Sequence, residues 1–211
     1  MRRAGVIGVV LLCLLTGCVR ASPAWTPGPV VTESVTPPPV TPGTATPSPT
    51  VPTPVKPTIP DTAGALDVSS YDSAHFASPT GRIWCALADD WTLCHFPRGM
   101  NTSKVPKPSK VCPGAGLDVT GVSVSKEGAD YFCSGGAESL PQTSGEYTAW
   151  WKPTGFPKVR YGGQDMATLP YGDKLVHGNY ICGSEQSGIT CGNASTGAGF
   201  KISRAGVTFI K

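Results

Sequence analysis

The sequence predicts a mainly β domain with three disulfides, built as a small antiparallel sheet, a sandwich or a barrel-like fold behind a disordered Pro/Thr-rich tether. Glycine (26) and proline (22) form nearly a quarter of the 211 residues, and charged residues form only 15%, against roughly 25% in an average soluble domain. Short runs of Val, Ile, Thr and aromatic residues alternate with Gly, Pro, Asn and Asp, which is typical of strands joined by turns. Six cysteines lie in the same part of the chain.

The N-terminus has the organisation of an export signal. Met1-Arg2-Arg3 is cationic, and residues 5–19 form an apolar run of 15 residues, shorter than the about 20 that span a bilayer as a helix. The run ends in Leu15-Thr16-Gly17-Cys18, which resembles the bacterial lipobox. The resemblance implies that residues 1–17 are a lipoprotein signal peptide, and that Cys18 is acylated and anchors the protein in the membrane.

Residues 18–61 are predicted to be a lipidated, disordered linker. Thirteen of the 22 prolines lie between Pro23 and Pro60, among many threonines. Proline favours extended polyproline II, at about 3.1 Å per residue, so roughly 40 residues reach on the order of 120 Å. We expect a semi-rigid spacer that holds one domain, residues 62–211, away from the membrane, and its threonines fit O-glycosylation.

The domain shows no convincing amphipathic helix. Runs of β-branched and aromatic residues predict short, mainly antiparallel strands. The predicted strands are 83–87, 91–96, 119–125, 129–133, 147–151, 180–182, 188–191, 200–203 and 207–210.

An even number of cysteines in an exported domain indicates structural disulfides. Asp89-Asp90 fits a two-residue turn that places Cys85 directly opposite Cys94, at a Cα distance that a disulfide accepts. The segment from Gly178 repeats the motif that starts at Gly81, with the same cysteine spacing. The predicted pairs are Cys85–Cys94, Cys112–Cys133 and Cys182–Cys191. No Cys-x-x-Cys occurs, so we expect no metal site and no cofactor.

No catalytic motif is present in the sequence. Gly-x-Ser-x-Gly, His-Glu-x-x-His and Gly-rich phosphate loops are all missing, and the three histidines are isolated. We therefore expect a protein that is not an enzyme. The rival hypothesis is an envelope glycan or peptide hydrolase with a carboxylate pair assembled across the fold. Its candidate carboxylates are Asp118, Asp130, Glu138, Asp165 and Glu185.

Two surface features suggest a binding site. Trp150 and Trp151 are adjacent in a predicted strand and point to opposite faces, so one of them is expected to be exposed. Trp91 is included in the same candidate surface, and the alternative is that most of these rings fill the core. Four cations occur in a Pro-rich segment without intervening acids, and they suit an anionic polymer or lipid headgroup. These cations are Arg98, Lys104, Lys107 and Lys110. A net charge of only +3 argues against nucleic-acid binding.

Two groups of motifs are similar to an actinobacterial secreted and lipoprotein domain of unknown function. Residues 76–85 resemble its Ser-Pro-Ser-Gly-Asn-Ile-x-Cys opening, and residues 169–204 resemble its closing motif, with Gly188-Ile189-Thr190-Cys191-Gly192-Asn193 at its centre. Arg82 stands where that family has Asn, Ala198 where it often has His, and Val207 where an aromatic residue is common. The resemblance implies an actinobacterial envelope location and a small disulfide-bonded domain, with no activity to transfer.

Together these features predict a lipid-anchored protein on the outer face of the cell membrane. We expect a monomeric, non-catalytic module that binds a cell-wall glycan or an envelope protein. The alternatives are the hydrolase and a structural accessory lipoprotein of a membrane complex.

Overall fold

The computed structural model describes residues 56–136 and 138–211, so the predicted signal peptide, Cys18 and most of the predicted linker lie outside the described residues. The strands are β1 (Leu66–Asp67), β2 (Ser73–Ala77), β3 (Trp84–Ala88), β4 (Trp91–His95), β5 (Asp118–Ser125), β6 (Gly128–Ser134), β7 (Lys158–Tyr161), β8 (Gln164–Ala167), β9 (Lys174–His177), β10 (Tyr180–Glu185), β11 (Gly188–Asn193), β12 (Gly199–Ser203) and β13 (Gly206–Ile210). A short helix α1 (Pro108–Val111) and a 3₁₀ helix (Glu146–Thr154) complete the elements. None of the described helices is long and apolar enough to cross a bilayer.

Two antiparallel meanders form the domain. One sheet has the order β2-β3-β4-β5-β6, and the other has the order β9-β10-β11-β12-β13, with β1 added in parallel beside β9. Side chains of both sheets form one buried cluster between them, so the fold is a sandwich. Strands β7 and β8 form a separate ribbon. The prediction of a mainly β fold is confirmed.

The two meanders repeat each other in register as well as in sequence. In each sheet, five directly paired residues form a row across the strands, and a disulfide joins the second and third members. The rows are Phe76-Cys85-Cys94-Val122-Tyr131 and Leu175-Cys182-Cys191-Phe200-Phe209. The last two rings meet edge to face, with centroids 5.1 Å apart, so the rows also contact each other across the sandwich.

All three predicted disulfides are confirmed. Cys85 and Cys94 are opposed across the Asp89-Asp90 turn with Cα atoms 4.0 Å apart, and the Cα atoms of the matching pair, Cys182 and Cys191, are 4.1 Å apart. The third pair, Cys112–Cys133, ties the end of α1 to β6. The two hairpin disulfides touch in the core, since the Sγ atoms of Cys94 and Cys191 are 3.8 Å apart.

The predicted strand at 147–151 is wrong, because these residues belong to the 3₁₀ helix. The Thr148 hydroxyl donates to two carbonyl oxygens just before this helix, those of Gln142 and Gly145, both at 2.8 Å. Gly155 then ends the helix in a left-handed conformation (φ 71°), which glycine adopts without steric cost. Strands β1, β2, β7, β8 and β9 were not predicted, because they are short or contain few β-branched residues.

The end of the predicted linker lies against the sandwich. Ile59 packs over Gly192 and Gly199, where a Cβ atom on either glycine would overlap Ile59 Cγ2. Lys174 Nζ donates to both the carbonyl oxygen and the carboxylate of Asp61, at 3.0 and 2.9 Å. Among the described residues, Ile59 and Asp61 therefore contact the sandwich although they precede the predicted boundary at 62.

Candidate binding groove

A cavity of about 450 Å³ opens on one side of the first sheet. We call it the first cavity. Its lining combines cationic, aromatic and polar side chains from β3, β4, β5, β7 and the loops beside them. These residues are Arg82, Trp84, His95, Phe96, Arg98, Thr120, Gly136 and Tyr161.

The aromatic wall of the first cavity consists of Trp84 and Tyr161. Cys85 points into the core, so the alternation of a strand turns its neighbour Trp84 away from the core. Trp84 Nε1 donates to the Gly81 carbonyl oxygen at 2.8 Å, which fixes the indole ring. The two rings meet edge to face with centroids 6.2 Å apart. Tyr161 lies so close to Gly81 that a Cβ atom there would be 2.8 Å from Tyr161 Cβ.

Two arginines line the first cavity together with this aromatic wall. Arg82 and Arg98 are both exposed, and within residues 56–136 and 138–211 no carboxylate lies within 4.0 Å of either guanidinium. A guanidinium offers a planar set of donors that matches a carboxylate or a phosphate. The pair is therefore available to an anionic ligand.

The floor of the first cavity is formed by His95 and Thr120. His95 Nε2 lies 3.0 Å from Glu138 Oε2, although the two groups are poorly aligned as a hydrogen bond. Burial lowers the pKa of His95 and outweighs the opposite effect of Glu138. Burial raises the pKa of Glu138, but its hydrogen bond with Ser134 and its contact with His95 prevail, so the net shift is downward. The ring also contacts the Thr120 backbone, so both sides of His95 are engaged by protein groups.

Two buried polar atoms on this floor have no hydrogen-bond partner in the described part of the chain, His95 Nε2 and the Thr120 hydroxyl oxygen. The Thr120 hydroxyl is fully buried and makes no hydrogen bond there. Most buried hydroxyls are hydrogen-bonded in folded proteins.

A second cavity of about 350 Å³ adjoins the first, because Arg82 lines both. Arg204 adds a second cation here, and Tyr171 adds a ring that is 42% exposed. Glu185 also lines this cavity, and Lys201 lies 3.2 Å from its carboxylate. Together we call the two cavities the groove.

The structure separates the tryptophans that the sequence assigned to a binding surface. Trp150 is only 1% exposed and donates its Nε1 hydrogen to the His75 carbonyl oxygen, so its assignment to the surface is corrected to the core. Trp151 is half-buried and packs against the core cluster. Trp91 is half-buried at the start of β4 and lines neither cavity of the groove.

The predicted basic segment is also divided. Arg98 is the member that lines the first cavity, whereas Lys104 lines a different cavity beside Tyr131 and Lys201. Lys107 and Lys110 are exposed at α1 and line neither cavity of the groove. Trp84, Tyr161 and Arg82 were missed. Alternation around Cys85 could have found two of them, since it places Arg82 and Trp84 on the face opposite the core.

The five candidate carboxylates are in different surroundings. Asp165 pairs with Lys158 and Arg160, Glu185 with Lys201, and Glu138 with His95. Asp130 accepts a hydrogen bond from the backbone of Tyr131, and Asp118 is exposed at the start of β5. Neither cavity of the groove is lined by two of the five.

Sulfur atoms of Cys85, Cys94 and Cys191 lie within 4.8 Å of one another. All three belong to disulfides, which leaves them no thiolate with which to bind a metal.

No family model, curated protein or solved structure matches the chain. The groove is therefore interpreted from its own chemistry.

Proposed function

We propose that the protein is a lipid-anchored, non-catalytic component of the cell envelope whose sandwich domain binds a wall component through the groove. The single observation that carries the binding role is the convergence of Trp84 and Tyr161 with Arg82 and Arg98 around one cavity. Aromatic faces bury apolar C–H surface of a sugar ring, and free guanidinium groups hold its anionic substituents. A glycan with acidic groups is the wall component that suits both.

The proposed anchor follows from the lipobox-like Leu15-Thr16-Gly17-Cys18. Labelled palmitate should be incorporated into the protein in cells, and Cys18→Ala should abolish both labelling and membrane association. Cys13→Ala is the matched control, because Cys13 lies before the proposed cleavage site. Equal labelling of Cys18→Ala and the natural chain would contradict the anchor.

Wall binding is tested by co-sedimentation of the full chain, in detergent, with insoluble cell-wall material. Trp84→Ala should reduce the retained fraction several-fold, because it removes the larger ring of the first cavity. Trp91→Ala is a matched control, since Trp91 is a half-buried strand tryptophan that lines neither cavity. Circular dichroism would establish that both variants fold. Retention that Trp84→Ala leaves unchanged would refute the assignment of the groove.

A further inference from the structure

We propose that the groove binds a linear oligomer with anionic groups on successive units, such as an acidic glycan, and that Arg82 holds the middle of that chain. This inference rests on the proposed function, because it specifies the ligand of the same site. Its basis is that Arg82 lines both cavities. A ligand held at Arg82 therefore lies at the border of both cavities.

Each cavity supplies its own cation and its own ring. The first has Arg98 with Trp84 and Tyr161, and the second has Arg204 with the exposed Tyr171. Rings and guanidinium groups thus occur in both cavities. A compact monoanion would engage one cavity only, whereas a chain of acidic sugars can use the rings for its units and the arginines for its charges.

The charges in the groove leave the three arginines available. In the described ranges, 56–136 and 138–211, no carboxylate lies within 4.0 Å of the guanidinium group of Arg82, Arg98 or Arg204. Glu185, the carboxylate that lines the second cavity, is already offset by Lys201. The groove therefore attracts anions in both of its parts.

The three arginines do not distinguish carboxylates from phosphates, because a guanidinium binds either in a bidentate manner. The shared chemistry is a polyanionic oligomer. The two sources are separated by testing galacturonate oligomers of one, two and four units beside glycerol phosphate oligomers of one and four units, with cellotetraose as the uncharged control.

The experiment measures the Kd of each oligomer for the full chain in detergent. Tetragalacturonate or the glycerol phosphate tetramer should bind at least about tenfold more tightly than its one-unit form, since each added charge-assisted contact is worth about tenfold or more. Arg204→Ala should weaken the tetramer about tenfold and the single unit less, whereas Arg82→Ala should weaken both. Lys110→Ala, an exposed cation outside the groove, should change neither.

The outcomes separate this inference from the proposed function. Wall retention together with equal affinity for one and four units, or with no effect of Arg204→Ala, would overturn the extended-chain inference and leave wall binding intact. Wall retention without binding of either charged oligomer would overturn the polyanionic ligand. Absence of both wall retention and oligomer binding would overturn the proposed function itself.

Discussion

Replacing Gly192 by Ala should loosen the junction between linker and domain. The new Cβ atom would overlap Ile59 Cγ2 and lie 2.9 Å from Ile59 Cβ. Overpacking in a rigid core costs about 1–3 kcal/mol. Here the cost has a ceiling, because Ile59 belongs to a terminal segment that can leave the sheet. The part of the loss that comes from Ile59 cannot exceed the free energy with which that segment docks; a further contact, 3.0 Å from the Ala198 carbonyl oxygen, remains after undocking.

The docking energy sets the expected magnitude. Full burial of an isoleucine stabilises by about 1.5–3 kcal/mol, and Ile59 is only half-buried, so about 1–1.5 kcal/mol is available. Alanine recovers about 0.4–1 kcal/mol by restricting the unfolded chain. Gly192→Ala should therefore lower the free energy of unfolding by up to about 1 kcal/mol. The full chain would be unfolded in urea, and the midpoints compared at constant m.

A double-mutant cycle identifies the cause. Ile59→Ala removes the Cγ2 atom but keeps Cβ at 2.9 Å, and the Ala198 carbonyl oxygen stays 3.0 Å from the new Cβ, so Gly192→Ala should cost clearly less in that background but not zero. Gly199→Ala is the contrast, because its Cβ would also overlap the backbone carbonyl oxygen of Cys191, and Ile59→Ala cannot relieve that contact. Additive losses for Ile59→Ala and Gly192→Ala would refute docking of the linker on the sheet.

Three further predictions concern pH, the disulfides and the cavity wall. Burial lowers the pKa of His75, so its contribution to stability is present above about pH 6.5 and is lost as the pH falls toward the folded pKa. His75→Phe should therefore make the urea unfolding midpoint depend less on pH between pH 7 and 5. An unchanged dependence of the midpoint on pH would contradict this. Replacing Cys182 and Cys191 together by Ala should cost about 3 kcal/mol through loop entropy, measured by urea unfolding, and a loss below about 1 kcal/mol would count against that bridge. Gly81→Ala should displace Tyr161 and strain a backbone at φ 71°, so it should lower both the stability of the domain and its retention on cell-wall material. Full retention would show that binding tolerates the displacement of Tyr161.

The disulfide hairpins were predictable because their determinants are local. A two-residue turn and a period of two residues place Cys85 opposite Cys94, and the same spacing recurs in the second meander. The face-to-face contact of the two disulfides was not predictable, since the packing of one sheet on the other decides it.

The 147–151 segment shows where local pattern failed. Aromatic and β-branched residues favour a strand, but Thr148 closes a turn on the preceding carbonyl oxygens and Trp150 fills the core beside β2. Strand β2 shows the opposite error, a real strand that the pattern did not predict. Its Ser73–Ala77 residues are all buried and mostly small, so neither alternation nor bulk identifies them.

The groove could be predicted from the sequence only in part. Arg82 and Trp84 face away from the core by simple alternation, which the sequence contains. Arg98, Tyr161 and Arg204 come from distant parts of the chain, and only the fold brings them to the same surface.

The most direct test of the account is an intrinsic tryptophan fluorescence titration of the full chain with solubilised wall glycan. The account predicts a saturable spectral shift that Trp84→Phe removes and Trp91→Phe retains, because Trp84 lines the first cavity and Trp91 does not. A flat titration, or a shift that survives Trp84→Phe, would contradict the claim that the groove is where this protein binds the cell wall.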